Sequence, residues 1–337
     1  MLVSFCIAGI FREIMDTKRL RSSTICSTKT RGVFNATITG MLIPICSCGS
    51  IPLGIGMYYS GAYLGPTLAF MTSTPMINPI AILLAFGLLG KEIAIIYVIT
   101  GFVAPMIIGT VANRFGGKEL FRQSDISSEK KILLETEKPS IFGKLKNGLI
   151  WSFGELTPMV AKYAVSGMLL MGLLLNIVPQ TAIQRYLGDP GFISLFGVTV
   201  VAALMYVCAV GHMPLVAALV ASGASPGVAV TFLMAGASTN IAELLTINRT
   251  IGKRAMFMYA GLVVVLANIA GFLTNRILSD FVPVFNFDTA TRSIAAAGRL
   301  MISTPEWMKY ICTCIITGFA IWSLCKYFFK RVKKVSS

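Results

Sequence analysis

A chain of 337 residues that is 55% apolar and 13% charged, with a mean hydropathy of +0.77, is far from the roughly one-quarter charged content of soluble domains and excludes water as its main solvent. A formal charge of +15 would point to nucleic acid in a soluble protein. Here the Lys and Arg residues sit in loops and tails beside apolar stretches, which is the positive-inside pattern of a membrane protein.

In chain order, the apolar run Met1 to Phe11 comes first. No basic residue precedes it, so it lacks the n-region of a secretory signal, and it is too short to span a bilayer unaided. Either the true start lies upstream, or a helix extends through Arg12 and Glu13 toward Met15. A basic loop follows, with Arg12, Lys18, Arg19, Arg21, Lys29 and Arg31. Next come two arms, Val33 to Ile45 and Ile51 to Tyr59, around CSCGS; at 1.5 Å per residue neither crosses a membrane alone, and a re-entrant hairpin is expected. The stretch Leu64 to Leu89 exceeds the roughly 20 residues a span needs. It is interrupted by TSTPMINP, Thr72 to Pro79, whose two prolines remove backbone donors. Ile93 to Val111 is a further span.

A basic linker, Arg114 to Lys146, leads to the span Val160 to Ile177. The pattern then recurs. Arms Leu195 to Val207 and Met213 to Ala221 flank AVGH, and Val228 to Ile247 is interrupted by AGASTN, Ala235 to Asn240. Ala255 to Leu273 is the next span, and Tyr310 to Leu324 the last, with a tail carrying Lys326, Lys330, Arg331, Lys333 and Lys334. Eight cysteines, several inside apolar stretches, are unlike the dense framework of a small secreted domain and read as thiols.

The recurrence is an internal repeat. Without a gap, Phe34 to Arg114 matches Phe196 to Arg276 at an offset of 162, with about a quarter of positions identical. The identical pairs include Cys46/Cys208, Gly49/Gly211, Pro52/Pro214, Ser60-Gly61-Ala62 with Ser222-Gly223-Ala224, Gly65/Gly227, Asn78/Asn240, Tyr97/Tyr259 and Asn113-Arg114 with Asn275-Arg276. The loop from about Pro179 to Gly191 carries only Arg185, where its equivalent is strongly basic. Equivalent loops therefore belong on opposite sides. The linker, the turn Arg249, Lys253, Arg254 and the tail are all cytoplasmic if each half makes three crossings plus a hairpin that returns to its own side. The expected fold is all-α: a polytopic membrane protein of two inverted-topology repeats, each with a re-entrant hairpin and a broken helix, plus a C-terminal transmembrane helix. Its units are 1–118 (first repeat), 119–150 (cytoplasmic basic linker), 151–280 (second repeat), 281–306 (extracytoplasmic loop) and 307–337 (last helix and tail). Broken helices in corresponding positions point to a solute site near the midplane.

Several residues are candidates for that site. Cys46 and Cys48 lie at a hairpin tip and at the start of a helix, where thiolate is stabilised; soft sulfur selects soft metals and, by extension, trivalent metalloids. Packing in a crowded hairpin is the plainer role. Cys208 recurs at the Cys46 position, but Val210 replaces the second thiol. Asn78 and Asn240 share a register in the two breaks, with Ser73, Thr74, Ser238 and Thr239 beside them. They either cap half-helices, contact solute, or both. Gly49, Pro52, Pro75, Pro79, Gly211, Pro214 and Gly236 are the expected backbone breakers. His212, the only histidine, could titrate near neutrality. Glu243 stands in an apolar segment, where a charge costs on the order of 3 kcal/mol, which suggests proton coupling. Its nearness to Arg249 leaves an interfacial position open. No metal site, cofactor or catalytic residue is expected, and no Walker A loop is present, so ATP would need another protein.

Together, CSCGSIPLGIGMYYSGAYLGPTLAFMTSTPMINPIAIL and GHMPLVAALVASGASPGVAVTFLMAGASTNIAELL resemble the ArsP-like predicted permease family, known for organoarsenical efflux. The resemblance runs from about Ile10 to Leu278. It implies export of trivalent organoarsenicals such as methylarsenite through the cytoplasmic membrane of a prokaryote without ATP hydrolysis. His212 and Glu243 are departures. Two other readings remain: a transmembrane thiol-redox relay using Cys46 and Cys208, and the membrane subunit of a two-component complex. The expected partners are a small-molecule substrate, the bilayer and a second subunit or copy; nucleic acid is not among them.

Overall fold

The computed structural model describes residues 30–43, 45, 47–120, 141–158, 191–204, 209–221, 223–278, and positions 307, 310, 311, 313–315, 317, 318 and 322. These residues are helical, with no strand among them. The first half contains α1 (Thr30–Leu42), α2 (Ser47–Tyr59), α3 (Leu64–Met76), α4 (Pro79–Leu88) and α5 (Lys91–Phe115). After α6 (Ile141–Trp151), the second half contains α7 (Phe192–Leu204), α8 (Ala209–Ala221), α9 (Pro226–Ser238), α10 (Ile241–Thr250) and α11 (Lys253–Ile277). Adding 162 to either boundary of α1 to α5 returns the boundary of its mate in α7 to α11. The repeat read from residue identities is thus a repeat of structure, residue for residue.

The spans Ile93 to Val111 and Ala255 to Leu273 are the interiors of α5 and α11, each of 25 residues. At 1.5 Å per residue they are about 37 Å long, more than the roughly 30 Å of a hydrocarbon core. Each presents an exposed apolar stripe, Ile95, Ile99, Val103 and Ile107 on α5 and Phe257, Val265 and Ile269 on α11. A helix that is apolar on its packed and unpacked faces alike is built for lipid. Glu92 in the first turn of α5 and Arg114 in its last complement the helix dipole.

Two helix pairs form the broken spans. α3 and α4 meet at 41°, and so do α9 and α10. With these pairs counted as single spans, four segments of the described chain are long and apolar enough to cross a membrane. The described residues of 310–324 are helical as well. The span expected at Val160 to Ile177 and the Met1 to Phe11 run lie outside the described residues.

Within each half, one glycine pair sets the closest helix approach. A Cβ at Gly65 would stand 2.4 Å from the Gly109 carbonyl, and one at Gly227 would stand 2.1 Å from that of Gly271. The backbone N–H of Gly65 donates to Asn113 Oδ1 at 3.0 Å, and that of Gly227 to Asn275 Oδ1 at 2.7 Å. Small residues let α3 meet α5, and α9 meet α11, backbone to backbone, which is how helices associate where water supplies no drive. The repeated Ser-Gly-Ala turns require φ of +99° at Gly61 and +97° at Gly223, a region open to glycine at no steric cost.

The halves meet reciprocally. α3 packs against α9, α5 against α11, α2 against α10 and α4 against α8. One buried cluster joins Ile51, Ile55, Leu68 and Ile108 to Ile247, Ala255, Tyr259 and Val263; another joins Ile80, Leu84 and Leu88 to Met213, Val216 and Val220. Just past α5, Glu119 accepts from the backbone N–H of Arg254 at 3.3 Å and of Ala255 at 2.5 Å, at the start of α11. Tyr58, at the end of α2, donates to the Glu119 carbonyl at 2.8 Å.

One expectation is corrected here. The breaks do not fall at most of the expected breakers: Gly49 and Pro52 lie inside α2, Pro75 inside α3, Gly211 and Pro214 inside α8 and Gly236 inside α9. Only the first four N–H groups of a helix lack an intrahelical acceptor, so Pro52 and Pro214, well inside α2 and α8, and Pro75, near the end of α3, are each accommodated with the loss of a backbone hydrogen bond. Only Pro79 borders a break, as the first residue of α4. α6 takes Ile141–Trp151 and runs into a wider turn at Ser152–Leu156.

Candidate functional site

The two breaks are built from the same parts. Asn78 (φ −130°, ψ 163°) and Asn240 (φ −126°, ψ 155°) are extended, and each caps the helix that follows. Asn78 Oδ1 accepts from the Ala81 N–H, and Asn240 Oδ1 from the Glu243 N–H, both at 2.8 Å. The last residue of each preceding half-helix is served by the tyrosine of the next long span: Tyr97 donates to the Met76 carbonyl, and Tyr259 to the Ser238 carbonyl at 2.7 Å. Buried helix ends need such partners. Both tyrosines are fully buried.

What enforces the breaks differs. Asn78 precedes Pro79, whose ring pushes the residue before it into extended backbone. No proline lies between Pro226 and Thr250. The second break is held by side-chain hydrogen bonds alone, yet it reaches the same angle.

The hydroxyls also differ. Thr72, Ser73 and Thr74 turn back onto their own helix, donating to the carbonyls of Leu68, Phe70 and Phe70. Ser73 and Thr74 pack beneath Gly40 of α1, where a Cβ would lie 2.1 Å from Ser73 Oγ. Thr239 donates to the Ala235 carbonyl at 2.7 Å. Ser238 Oγ is buried and has no hydrogen-bond partner among the described residues. Such a group costs about 1–3 kcal/mol when left alone.

Glu243 is 0% exposed, which places it in the interior and not at an interface with Arg249. Its Oε1 lies 3.2 Å from the Tyr259 hydroxyl and its Oε2 3.3 Å from Asn240 Nδ2. The equivalent position in the first half is Ala81. The second break is therefore a polar cluster of Ser238, Asn240, Glu243 and Tyr259, with Thr72 of the first half against the Tyr259 hydroxyl. Tyr97 and Tyr259 are not among the candidates the sequence singles out, and their identity at the repeat offset is the signal that finds them. Glu119, whose partners lie in the other half, carried no such signal.

The remaining candidates are less fully placed. Cys46 and Cys208 lie outside the described residues, and Cys48 is placed only by its backbone, in the first turn of α2. His212 is half-buried in the first turn of α8, its ring 6.4 Å from that of Phe232. No group of three or more potential metal-ligating side chains occurs among the described residues.

A family model described as predicted permease, ArsP_1, matches residues 1–276. The chain belongs to this permease family. Among its relatives, the UPF0718 protein MJ0584 of Methanocaldococcus jannaschii is 26% identical over 72% of this chain and 81% of its own length. The UPF0718 protein YcgR of Bacillus subtilis is 23% identical, covering 81% of this chain and 90% of its own. For the UPF0718 protein YraQ of Escherichia coli the identity is 20%, with 79% and 74% covered. No solved structure matches the chain at a significant level. The permease is a multi-pass membrane protein, in agreement with its helices.

Proposed function

We propose that this permease is a secondary exporter of thiophilic small solutes, of which trivalent organoarsenicals such as methylarsenite are the fitting class, working by two inverted halves around a site where their breaks meet. The observation that carries the reading is the matched pair of breaks, completed by the same Asn and Tyr in each half. Irregular backbone at membrane depth is tolerated only where it is buried in protein or lines a cavity, and paired breaks at a repeat interface are the arrangement of solute sites in transporters built from inverted repeats. Inversion is supported by the joint at Glu119, which sets the end of one long span against the start of its mate, and by the reciprocal packing of equivalent helices, the pattern of a two-fold relation. The basic linker, turn and tail then share the cytoplasmic side of a prokaryotic inner membrane, with the C-terminus inside.

The thiol preference rests on the sequence pair Cys46 and Cys48, of which Cys48 lies in the first turn of α2, where unpaired N–H groups favour thiolate. The test is expression in an arsenic-sensitive host challenged separately with methylarsenite, arsenite and an organomercurial. Protection is expected, strongest for methylarsenite, and lost in Cys46→Ser and Cys48→Ser. A folded, membrane-inserted chain that protects against none of the three overturns the assignment of solute.

A further inference from the structure

The second break contains more hydrogen-bond acceptors than hydrogens to serve them. A tyrosine hydroxyl carries one hydrogen. Tyr259 lies 2.7 Å from the Ser238 carbonyl and 3.2 Å from Glu243 Oε1, and the shorter contact is the one at normal O–H to O length. With that hydrogen committed to Ser238, the Tyr259 and Glu243 oxygens face each other with nothing between them unless Glu243 brings a hydrogen of its own. Thr72 does not supply it, because its hydrogen serves the Leu68 carbonyl at 2.7 Å. Glu243 Oε2 already has the Asn240 amide as its donor. The arrangement is complete when Glu243 carries a proton on Oε1 and donates it to the Tyr259 oxygen.

Among the described residues no cation stands beside Glu243. α11 supplies Tyr259 and carries Lys253 and Arg254 exposed at its start; α2, Cys48 aside, supplies only Tyr58 and Tyr59 as titratable groups; α3 and α9 supply none; and Arg249 of α10 is exposed. Among the described residues, the neutral donor placed to move to Oε1 of an ionised Glu243 is the Tyr259 hydroxyl. A charge-assisted bond is roughly twice as strong as a neutral one, so the hydroxyl turns to the carboxylate and leaves the Ser238 carbonyl. That carbonyl ends α9, at a break no proline enforces, beside a buried Ser238 hydroxyl that has no partner among the described residues.

We propose that Glu243 is a proton-exchange site of the permease. Its proton decides whether the Tyr259 hydroxyl closes the Ser238 carbonyl or releases that carbonyl, with the Ser238 hydroxyl, as a pair of oxygen ligands at the second break. The step is a proton transfer only: the Glu243 O–H bond breaks, the proton passes to water on the side to which the break is open, and Tyr259 keeps its own hydrogen while changing acceptor. Tyr259 is a positioning residue in this scheme. The first half is the built-in control, since Tyr97 serves the Met76 carbonyl with Ala81 where the acid would be. The inference rests on the permease reading but not on the identity of the solute.

The test uses the purified full chain in lipid, without solute. Infrared difference spectra are recorded from acid to alkaline pH, following the carbonyl stretch of a protonated carboxyl group. One such band is expected to bleach as pH rises, to vanish in Glu243→Gln, to move in Tyr259→Phe and to stay in place in Tyr97→Phe. Should Glu243→Gln fail to give monodisperse protein, Glu243→Asp must displace the band. A spectrum in which no titrating carboxyl depends on residue 243, or in which Tyr97→Phe shifts the band as far as Tyr259→Phe, overturns the proposal. Vesicles loaded with methylarsenite form a separate arm: a titrating Glu243 with no arsenical transport leaves the proton site standing and removes only the solute assignment.

Discussion

The first break is enforced by covalent structure and the second by hydrogen bonds. Pro79 forces Asn78 into extended backbone, and Asn78 then caps α4. At the second break Ile241 stands where Pro79 would, so only the Asn240 cap and the Tyr259 hydroxyl hold the same 41° bend. A break set by a pyrrolidine ring cannot be reversed, whereas one set by a hydroxyl with two competing acceptors can be. The duplicated scaffold thus carries one fixed and one switchable element, and among the described residues the one buried acid, Glu243, sits beside the switchable one.

Substitutions at the glycine crossings probe what the halves share. Gly65→Val and Gly227→Val force a side chain into a neighbouring backbone carbonyl, and each is expected to cost about 3 kcal/mol, read as a large, equal fall in thermal stability in detergent. Inequality there would mean that the halves are packed less alike than their boundaries indicate. At the tyrosines the halves should diverge. Tyr97→Phe strands one buried carbonyl, for about 1–3 kcal/mol; Tyr259→Phe strands a carbonyl and takes a partner from Glu243, and its melting temperature should fall further. The caps come next. Asn240→Ala is expected to exceed the usual cap loss of about 1 kcal/mol, while Asn78→Ala falls short of it because Pro79 still bends the chain; equal losses in the two melting curves would contradict the division between fixed and switchable breaks. The smallest effect is expected for Ser238→Ala. Removing a hydroxyl without a partner should leave the melting temperature unchanged or slightly raised, whereas a drop would mean that Ser238 has a structural partner.

Much of this architecture is legible in the residues. The offset of 162 survives because Gly61, Gly65, Asn78, Gly90, Tyr97 and Asn113 each meet a local backbone or packing demand that recurs in the second half. Of the two roles open to the asparagines, capping is the one on view, and it is legible because a cap acts within three residues. Glycine and proline are poor markers of the breaks here, because Pro52, Pro75 and Pro214 are all accommodated inside helices. Glu119 was passed over as one charge among many in a basic linker. Its partners, the N–H groups of Arg254 and Ala255, lie more than a hundred residues away, and nothing local distinguishes it. Glu243 stood out as an acid in an apolar stretch, but the competition for the Tyr259 hydrogen is a matter of ångströms.

The glycine crossings also bear on the order of assembly. Gly65 and Asn113 are 48 residues apart, as are Gly227 and Asn275, so each half closes its tightest contact from within one continuous stretch of chain. The bond between Glu119 and the Ala255 N–H joins residues 136 apart. During synthesis the first half can be complete before α11 leaves the ribosome, and the tie at Glu119 must wait for it. The junction between the halves therefore cannot form until both halves have been made, and a synthesis that stops before α11 loses it.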